Sequence, residues 1–119
     1  MAIFKRHNLQ KILEGRKTQT RRIHKHTWQV GKVYALRDRW FSKPQAHIIV
    51  TRKFRQKLGE IRLEDVKKEG FSSLEEFKAE WERLHGKWNP EQVVWVYEFK
   101  LVPSAKTGKP SSATENRTL

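Results

Sequence analysis

A run of alternating residues near the end of the chain constrains the fold more than any other feature. Large apolar side chains occupy every second position from 93 to 101, in the sequence VVWVYEFKL. Because successive side chains of a β-strand point to opposite faces of a sheet, this period of two predicts a strand. Any fold proposed for the chain must therefore contain a β-sheet that includes this segment.

Shorter strand signals precede this segment. Residues 2–6 (AIFKR), 33–37 (VYALR) and 46–51 (AHIIVT) are predicted strands, and Pro44 acts as a breaker before the last of them. The segment rich in Thr and Arg that runs to Ile23 is predicted to be extended. Residues 52–62 are ambiguous, and they fit a strand with an irregular point at Gly59.

Three helices are predicted from apolar spacing and end signals. The first is capped by Asn8 and ends at Gly15, and the second spans residues 63–69 and ends at Gly70. The third follows Ser72-Ser73. Strands outnumber helices and mostly follow one another without a helix between them, which predicts an α+β domain built on a curved or closed sheet.

The third helix is predicted in most detail. Ser73 and Glu76 have the spacing of a capping box, and Gly86 is the natural end. Its apolar residues fall on one face at helical spacing, so they are predicted to pack in the core rather than to form a binding platform. These residues are Leu74, Phe77, Trp81 and Leu84.

Length and composition predict one domain. The 119 residues suffice for a single core, which is predicted to span residues 1–102, and residues 103–119 are predicted to be a flexible basic and polar tail. No apolar run approaches the roughly 20 residues of a membrane helix, so a soluble, cytoplasmic protein without a membrane partner is expected. The absence of cysteine excludes disulfides, zinc thiolates and thiol nucleophiles.

The net charge of +13 is unevenly distributed. Residues 1–62 carry 17 Lys and Arg against three acidic residues, whereas residues 63–102 carry six against nine. This asymmetry predicts one strongly basic face, as expected for a polyanionic partner such as RNA.

The segment GRKTQTRR, residues 15–22, concentrates this basic charge. Its four cations are candidates for contacts to successive phosphates of RNA, and its threonine hydroxyls for hydrogen bonds to phosphate oxygens. The candidate RNA-binding residues of the segment are Arg16, Lys17, Thr18, Arg21 and Arg22.

The same segment holds a candidate catalytic pair. Thr20 could act as a nucleophile if Lys17 took its proton, which requires that burial or neighbouring cations lower the pKa of Lys17. Residues three apart point to opposite sides of a regular strand, so the two side chains meet only at a turn or bulge. A carboxylate would also be needed to orient the lysine.

Aromatic residues lie in or beside loops of the basic half. Trp28, Trp40 and Phe41 either stack on RNA bases or line a pocket, or else they plug the ends of the sheet, and the sequence leaves these roles open. Trp28 and Trp40 are therefore candidate RNA contacts, together with Arg39.

No metal or cofactor site is predicted. His24 and His26 share one side of an extended segment, but no third ligand has the spacing of a metal site, and no nucleotide-binding glycine motif occurs. These two histidines are the only obvious acid–base candidates for a ribonuclease, which is a further alternative to RNA binding.

Four segments in order resemble the ASCH domain family. The stretch GRKTQTRR is similar to that family's GxKTxTxR signature, and residues 29–34 (QVGKVY) resemble the start of a family strand. Residues 67–77 (KKEGFSSLEEF) with Trp81 resemble its next segment, and residues 94–99 (VWVYEF) resemble its last strand. The resemblance covers roughly residues 1–102.

The resemblance implies a PUA-like small β-barrel with flanking α-helices. It implies an RNA-binding protein of RNA metabolism or translation, whose basic cleft is built around GRKTQTRR. It also implies an alternative, because some small members of the family are amidohydrolases that deacylate N4-acylated cytidine nucleosides, and others are associated with RNA cleavage. By motif position, Thr20 would attack the acyl carbon, Lys17 would take its proton, and Glu69 would hold and tune the lysine.

Overall fold

The computed structural model describes residues 2–23, 28–39 and 43–102. The predicted tail, residues 103–119, lies outside these ranges. Within them, five strands form one sheet that is flanked by helices. In chain order the elements are β1 (Ala2–Ile3), α1 (Arg6–Leu13), β2 (Gln19–Arg22), β3 (Val33–Arg37), β4 (Ala46–Lys57), a 3-10 turn (Leu58–Glu60), α2 (Leu63–Lys68), α3 (Leu74–His85) and β5 (Val93–Val102).

The sheet is mixed and curled. Its strand order is β1-β3-β4-β5-β2, in which β1 pairs with β3 in parallel and all other neighbours are antiparallel. The register of β4 against β5 shifts between Val50 and Arg52, an irregularity of the kind that bends a strand. The sheet forms a curled half-barrel with flanking helices, so the predicted α+β fold is confirmed.

A side chain connects the two edges of the half-barrel. β1 and β2 are the outer strands of the sheet. Arg22 of β2 donates from Nη2 to the backbone carbonyl of Ile3 in β1, at 3.1 Å. Its guanidinium also lies over the ring of Phe4, 4.6 Å from the centroid. Arg22 therefore closes the gap between the edge strands with a side chain rather than with a backbone ladder.

β5 lies between two apolar clusters because its side chains alternate. Tyr97 belongs to a cluster that also contains Phe4 and Trp28. Val96 belongs to a second cluster, which contains Trp81 of α3. The predicted alternating strand is confirmed, and its central part is buried on both faces.

Helix ends follow the predicted glycines. Gly15, Gly70 and Gly86 have φ angles of 79°, 95° and 87°, the left-handed conformation that ends a helix. Ser73 caps α3, since its side chain accepts a hydrogen bond from the Glu76 amide at 3.2 Å. None of the helices within the described residues is long and apolar enough to cross a membrane.

The predicted boundary between β1 and α1 is wrong, and the error has a tertiary cause. Asn8 does not cap α1, which begins at Arg6; it lies inside the helix, where its amide donates to Glu80 of α3. β1 is correspondingly shorter than predicted. β4 continues through the ambiguous residues to Lys57, because pairing with β5 supplies their backbone partners.

Candidate active site

The segment between α1 and β2 is tied to two other elements by backbone hydrogen bonds. The amide of Thr18 donates to the carbonyl of Lys68 at 2.7 Å, and the carbonyl of Thr18 accepts from the amide of Phe99 at 3.0 Å. The segment is therefore fixed between the end of α2 and strand β5. This position brings Lys17 beside Glu69, the residue that follows α2.

A buried ion-pair cluster centres on Glu69. Lys17 Nζ lies 2.7 Å from Oε1 of Glu69, and Arg21 Nη1 lies 2.9 Å from Oε2. The Lys17, Arg21 and Glu69 side chains are only 4%, 1% and 3% exposed. Asp65 compensates part of the second positive charge from 3.8 Å away. One fully buried carboxylate thus serves two buried cations.

Two glutamines hold the guanidinium of Arg21. Its Nη1 also donates to Oε1 of Gln19, and its Nη2 donates to Oε1 of Gln56 at 2.7 Å. Gln19 is fixed in turn because its Nε2 donates to Glu98 at 2.8 Å. Arg21 therefore has a fixed orientation, and through its bond to Glu69 it positions the carboxylate against Lys17.

Gly70 allows this close approach. A Cβ at position 70 would lie 2.9 Å from Cδ of Lys11 and 3.5 Å from Cβ of Lys17, and the φ angle of 95° is unfavourable for other residues. The glycine therefore lets the chain after α2 turn tightly beside the side chains of Lys11 and Lys17.

The environment of Lys17 favours its neutral form more than water does. Burial lowers the pKa of Lys17 from its ordinary value of 10.5, and the nearby positive charges of Arg22 and Arg21 lower it further. The negative charge and hydrogen bond of Glu69 act in the opposite direction. The pKa of Lys17 lies below its ordinary value because the burial effect is the largest.

Lys17, Thr20 and Glu69 line one cavity of about 500 Å³. This volume lies within the range of roughly 300–1,000 Å³ that is typical of small-molecule sites. Thr20 is 5% exposed, and its hydroxyl makes no hydrogen bond to any residue that the structure describes. The cavity thus contains a buried lysine with a lowered pKa and the hydroxyl of Thr20, which no described residue occupies.

The cavity wall is mainly aromatic on the side of α3. Phe77 and Trp81 are each 4% exposed and line the cavity together with Phe71 and Leu84. Phe77 and Trp81 belong to the second apolar cluster, so the prediction that this stripe packs in the core is confirmed for them. The same residues also line the cavity, which the prediction of a purely structural stripe did not include, and Leu84 is 37% exposed rather than buried in the core.

Comparisons with known proteins agree with this description. No protein-family model matches the chain, and no curated protein is significantly similar to it in sequence. The structure is similar to an ASCH domain from Lactobacillus crispatus JV V101, with a TM-score of 0.60, 19% sequence identity, and coverage of 79% of this chain and 69% of the other. It is also similar to a protein of Enterococcus faecalis V583 assigned to DUF984, with a TM-score of 0.63, 17% identity, and coverage of 86% and 76%.

The chain has the ASCH fold. The resemblance predicted from four sequence segments is thus confirmed at the level of the fold, including its PUA-like small barrel. At this level of sequence identity, the likeness concerns architecture, and the chemistry of the site depends on the residues described above.

The structure places the predicted RNA-binding arginines, lysine and threonine in three settings. Arg22 is partly buried and lines the cavity. Lys17 and Arg21 are buried and paired with Glu69, so their charges are compensated inside the protein. Arg16, Thr18 and Arg39 are exposed. Arg16 lies 3.3 Å from Glu14, and Arg39 lies at the cavity.

The predicted aromatic and histidine contacts are placed differently. Trp28 is 3% exposed and packs against Phe4 and Tyr97, so it plugs the sheet and offers no ring face to a base. Trp40, Phe41, His24 and His26 lie outside the described residues. Among the residues that are described, no three metal-ligating side chains converge.

Two residues that line the cavity were not predicted from the sequence. Asn8 of α1 and Glu80 of α3 both line the cavity, and each is 8% exposed. One signal was available for Glu80, because it lies on the same helical face as Phe77 and Leu84 at spacings of three and four residues. An acidic residue on an apolar helix face is unusual and indicates a specific buried partner.

Proposed function

We propose that the protein is an amidohydrolase that removes the acyl group from a small N4-acylated cytidine nucleoside. One observation carries the catalytic part of this proposal: the buried Lys17–Glu69 pair, at 2.7 Å, lines a cavity that also contains Thr20. This arrangement has the parts of a nucleophile, a base and a group that orients the base. The acylated cytidine substrate is what the resemblance to ASCH domains implies.

In the first step, the Thr20 hydroxyl attacks the acyl carbon while neutral Lys17 takes the hydroxyl proton. The tetrahedral intermediate collapses as its bond to N4 breaks, and Lys17 returns the proton to the departing amine. The acyl group is then an ester on Thr20, and cytidine leaves. Because burial lowers the pKa of Lys17, a larger fraction of the protein has a neutral lysine that can accept a proton at neutral pH.

In the second step, water attacks the acyl ester, and Lys17 again takes the proton. The ester bond breaks, Thr20 regains its proton, and a carboxylic acid leaves. Glu69 holds the lysine amine in the cavity wall throughout, and Arg21 and Gln19 keep Glu69 in place. The cations of the cavity wall, among them Arg22, favour the negative charge that develops on the acyl oxygen.

The wild-type protein is expected to convert N4-acetylcytidine to cytidine and acetate. Both products are measured by chromatography, with a heat-unfolded sample as the control for spontaneous hydrolysis. Release of cytidine and acetate in equal amounts, above the control rate, is the expected result. A rate equal to that of the control would reject the hydrolase proposal.

RNA binding is the second candidate, and the charge distribution favours it. Residues 1–62 hold 17 of the Lys and Arg residues against three acidic ones. Because Lys17 and Arg21 are buried, the contacts would come from exposed residues of the same region, namely Arg16, Thr18 and Arg39. RNA would then lie across the outside of the cavity rather than within it.

Reversing Arg16 and Arg39 to Glu is expected to weaken RNA binding by about 10-fold or more at 50 mM salt, because two phosphate contacts are lost. The affinity of the variant should also depend less steeply on salt concentration. Binding is measured by fluorescence anisotropy with a structured RNA. The matched control reverses Lys67 and Lys87 to Glu, which gives the same net charge at exposed positions of the acidic half. Equal losses in both variants would mean that only net charge attracts RNA.

A further inference from the structure

A second polar group lines the cavity, and it belongs to the helices rather than to the segment that carries Lys17. Asn8 of α1 and Glu80 of α3 are each 8% exposed. Buried polar side chains in proteins nearly always have hydrogen-bond partners. The partners of these two residues therefore indicate what the cavity wall offers to a ligand.

The carboxylate of Glu80 fixes the amide of Asn8. Nδ2 of Asn8 donates to Oε2 of Glu80 at 3.3 Å, and Nε2 of His7 donates to the same oxygen at 2.7 Å. The other oxygen, Oε1, is paired with Arg83. A flipped amide would bring Oδ1 of Asn8 against a carboxylate oxygen. Glu80 thus selects the orientation in which the Asn8 amide turns its oxygen away.

That oxygen has no partner. Oδ1 of Asn8 is buried and accepts no hydrogen bond from any described residue. An unsatisfied buried acceptor is unfavourable, and in a residue that lines a cavity the missing donor can come from a ligand. Because Oδ1 can only accept, the ligand group that it reads must carry an O–H or N–H.

We infer that Asn8 accepts a hydrogen bond from a sugar hydroxyl of the substrate and that Glu80 is the positioning residue for Asn8. This inference rests on the proposed hydrolase function. In the N4-acylated cytosine ring of a nucleoside, N1 carries the sugar, N3 and O2 are acceptors, and the only N–H is that of the amide that reacts at Thr20. The sugar hydroxyls are therefore the donors that remain for Asn8.

The first test changes the substrate and leaves the protein intact. Wild-type kcat/KM is measured on N4-acetylcytidine, on its 2′,3′-dideoxy and 5′-deoxy analogues, and on N4-acetylcytosine. Loss of the hydroxyl that Asn8 reads is expected to lower kcat/KM by roughly 10- to 100-fold. Equal kcat/KM on all four compounds overturns the inference while the hydrolase proposal stands.

The second test changes the acceptor. Asn8→Leu is expected to remove the preference for the hydroxylated substrate, whereas Gln10→Leu, an exposed change on the same helix, should keep it. Glu80→Gln should also reduce the preference, because a Gln amide can donate to Oδ1 of Asn8 and occupy it. Turnover of the analogue that lacks the hydroxyl should change little, which separates loss of recognition from general damage. An Asn8→Leu protein with the full wild-type preference overturns the inference.

A binding measurement keeps the inference testable if no compound is hydrolysed. Calorimetric titration of the wild-type protein with cytidine and with the matching deoxycytidine analogue then replaces the rate assay. Tighter binding of cytidine, lost in Asn8→Leu, supports the sugar contact even though the hydrolase proposal has failed. Equal binding of the two nucleosides, or no binding of either, overturns it.

Discussion

Replacement of Glu69 by Gln is expected to lower the free energy of unfolding by about 3 to 5 kcal/mol, because it removes one partner of a buried ion pair. Arg21, whose side chain is 1% exposed, would keep its positive charge without its carboxylate partner. Lys17, 4% exposed, would lose the group that opposes the lowering of its pKa. A loss of this size is a large part of the roughly 5 to 15 kcal/mol that stabilises a typical domain. Urea unfolding, followed by circular dichroism, measures it.

Two further variants make the test of Glu69 specific. Glu64→Gln changes an exposed residue of α2, the helix that Glu69 follows, and should alter the free energy of unfolding by no more than about 0.5 kcal/mol. Adding Lys17→Met to Glu69→Gln removes the buried lysine that has lost its partner and should recover part of the loss. If Glu69→Gln were no less stable than Glu64→Gln, the cluster would not hold this part of the fold.

Replacement of Lys17 by Met is expected to affect activity and stability very differently. Without the lysine base, kcat/KM on N4-acetylcytidine should fall by about 10² to 10⁴-fold, the usual contribution of a positioned acid–base group. The free energy of unfolding should change by no more than about 1 kcal/mol, because Glu69 keeps its bond to Arg21 at 2.9 Å and one desolvated cation is gone. Paired rate and urea measurements on one preparation test both parts.

The pH dependence gives an independent readout for Lys17. Because burial lowers its pKa from 10.5, the neutral, proton-accepting form increases as pH rises through the lowered value, so wild-type kcat/KM should rise and then level off. The folded protein releases this proton at a lower pH than the unfolded chain does. The free energy of unfolding therefore gains from Lys17 as pH rises between the two pKa values. The residual rate of Lys17→Met should lack the rise, and an unchanged profile would remove Lys17 from the proton transfer.

Local patterns predicted most of the secondary structure because each of those elements follows a local rule. The alternation over residues 93–101 and the glycines at 70 and 86 locate β5 and the ends of α2 and α3. Asn8 misled the prediction because a cap and a buried amide look alike in sequence. The extent of β4 depends on its partner strand, which no window of a few residues can reveal.

The site was predictable only in part, for a similar reason. Residues three apart on a regular strand point to opposite sides, yet Lys17 lies before β2 begins at Gln19, so strand alternation does not separate it from Thr20. The contribution of Glu69 depends on a contact far along the chain, and only the family resemblance indicated it. The position of Glu80 on an apolar helix face indicated a buried partner, but nothing local identified that partner as Asn8.

Thr20 provides the most direct test of the proposed chemistry. Initial rates on N4-acetylcytidine should be measured for the wild type, Thr20→Ala, Thr20→Ser and Thr51→Ala, the last being an exposed threonine of β4. Thr20→Ala should lose about 10³-fold or more in kcat/KM, Thr20→Ser should retain most of the activity through its hydroxyl, and Thr51→Ala should match the wild type. A folded Thr20→Ala protein that hydrolyses the substrate at the wild-type rate would contradict a threonine nucleophile in this cavity.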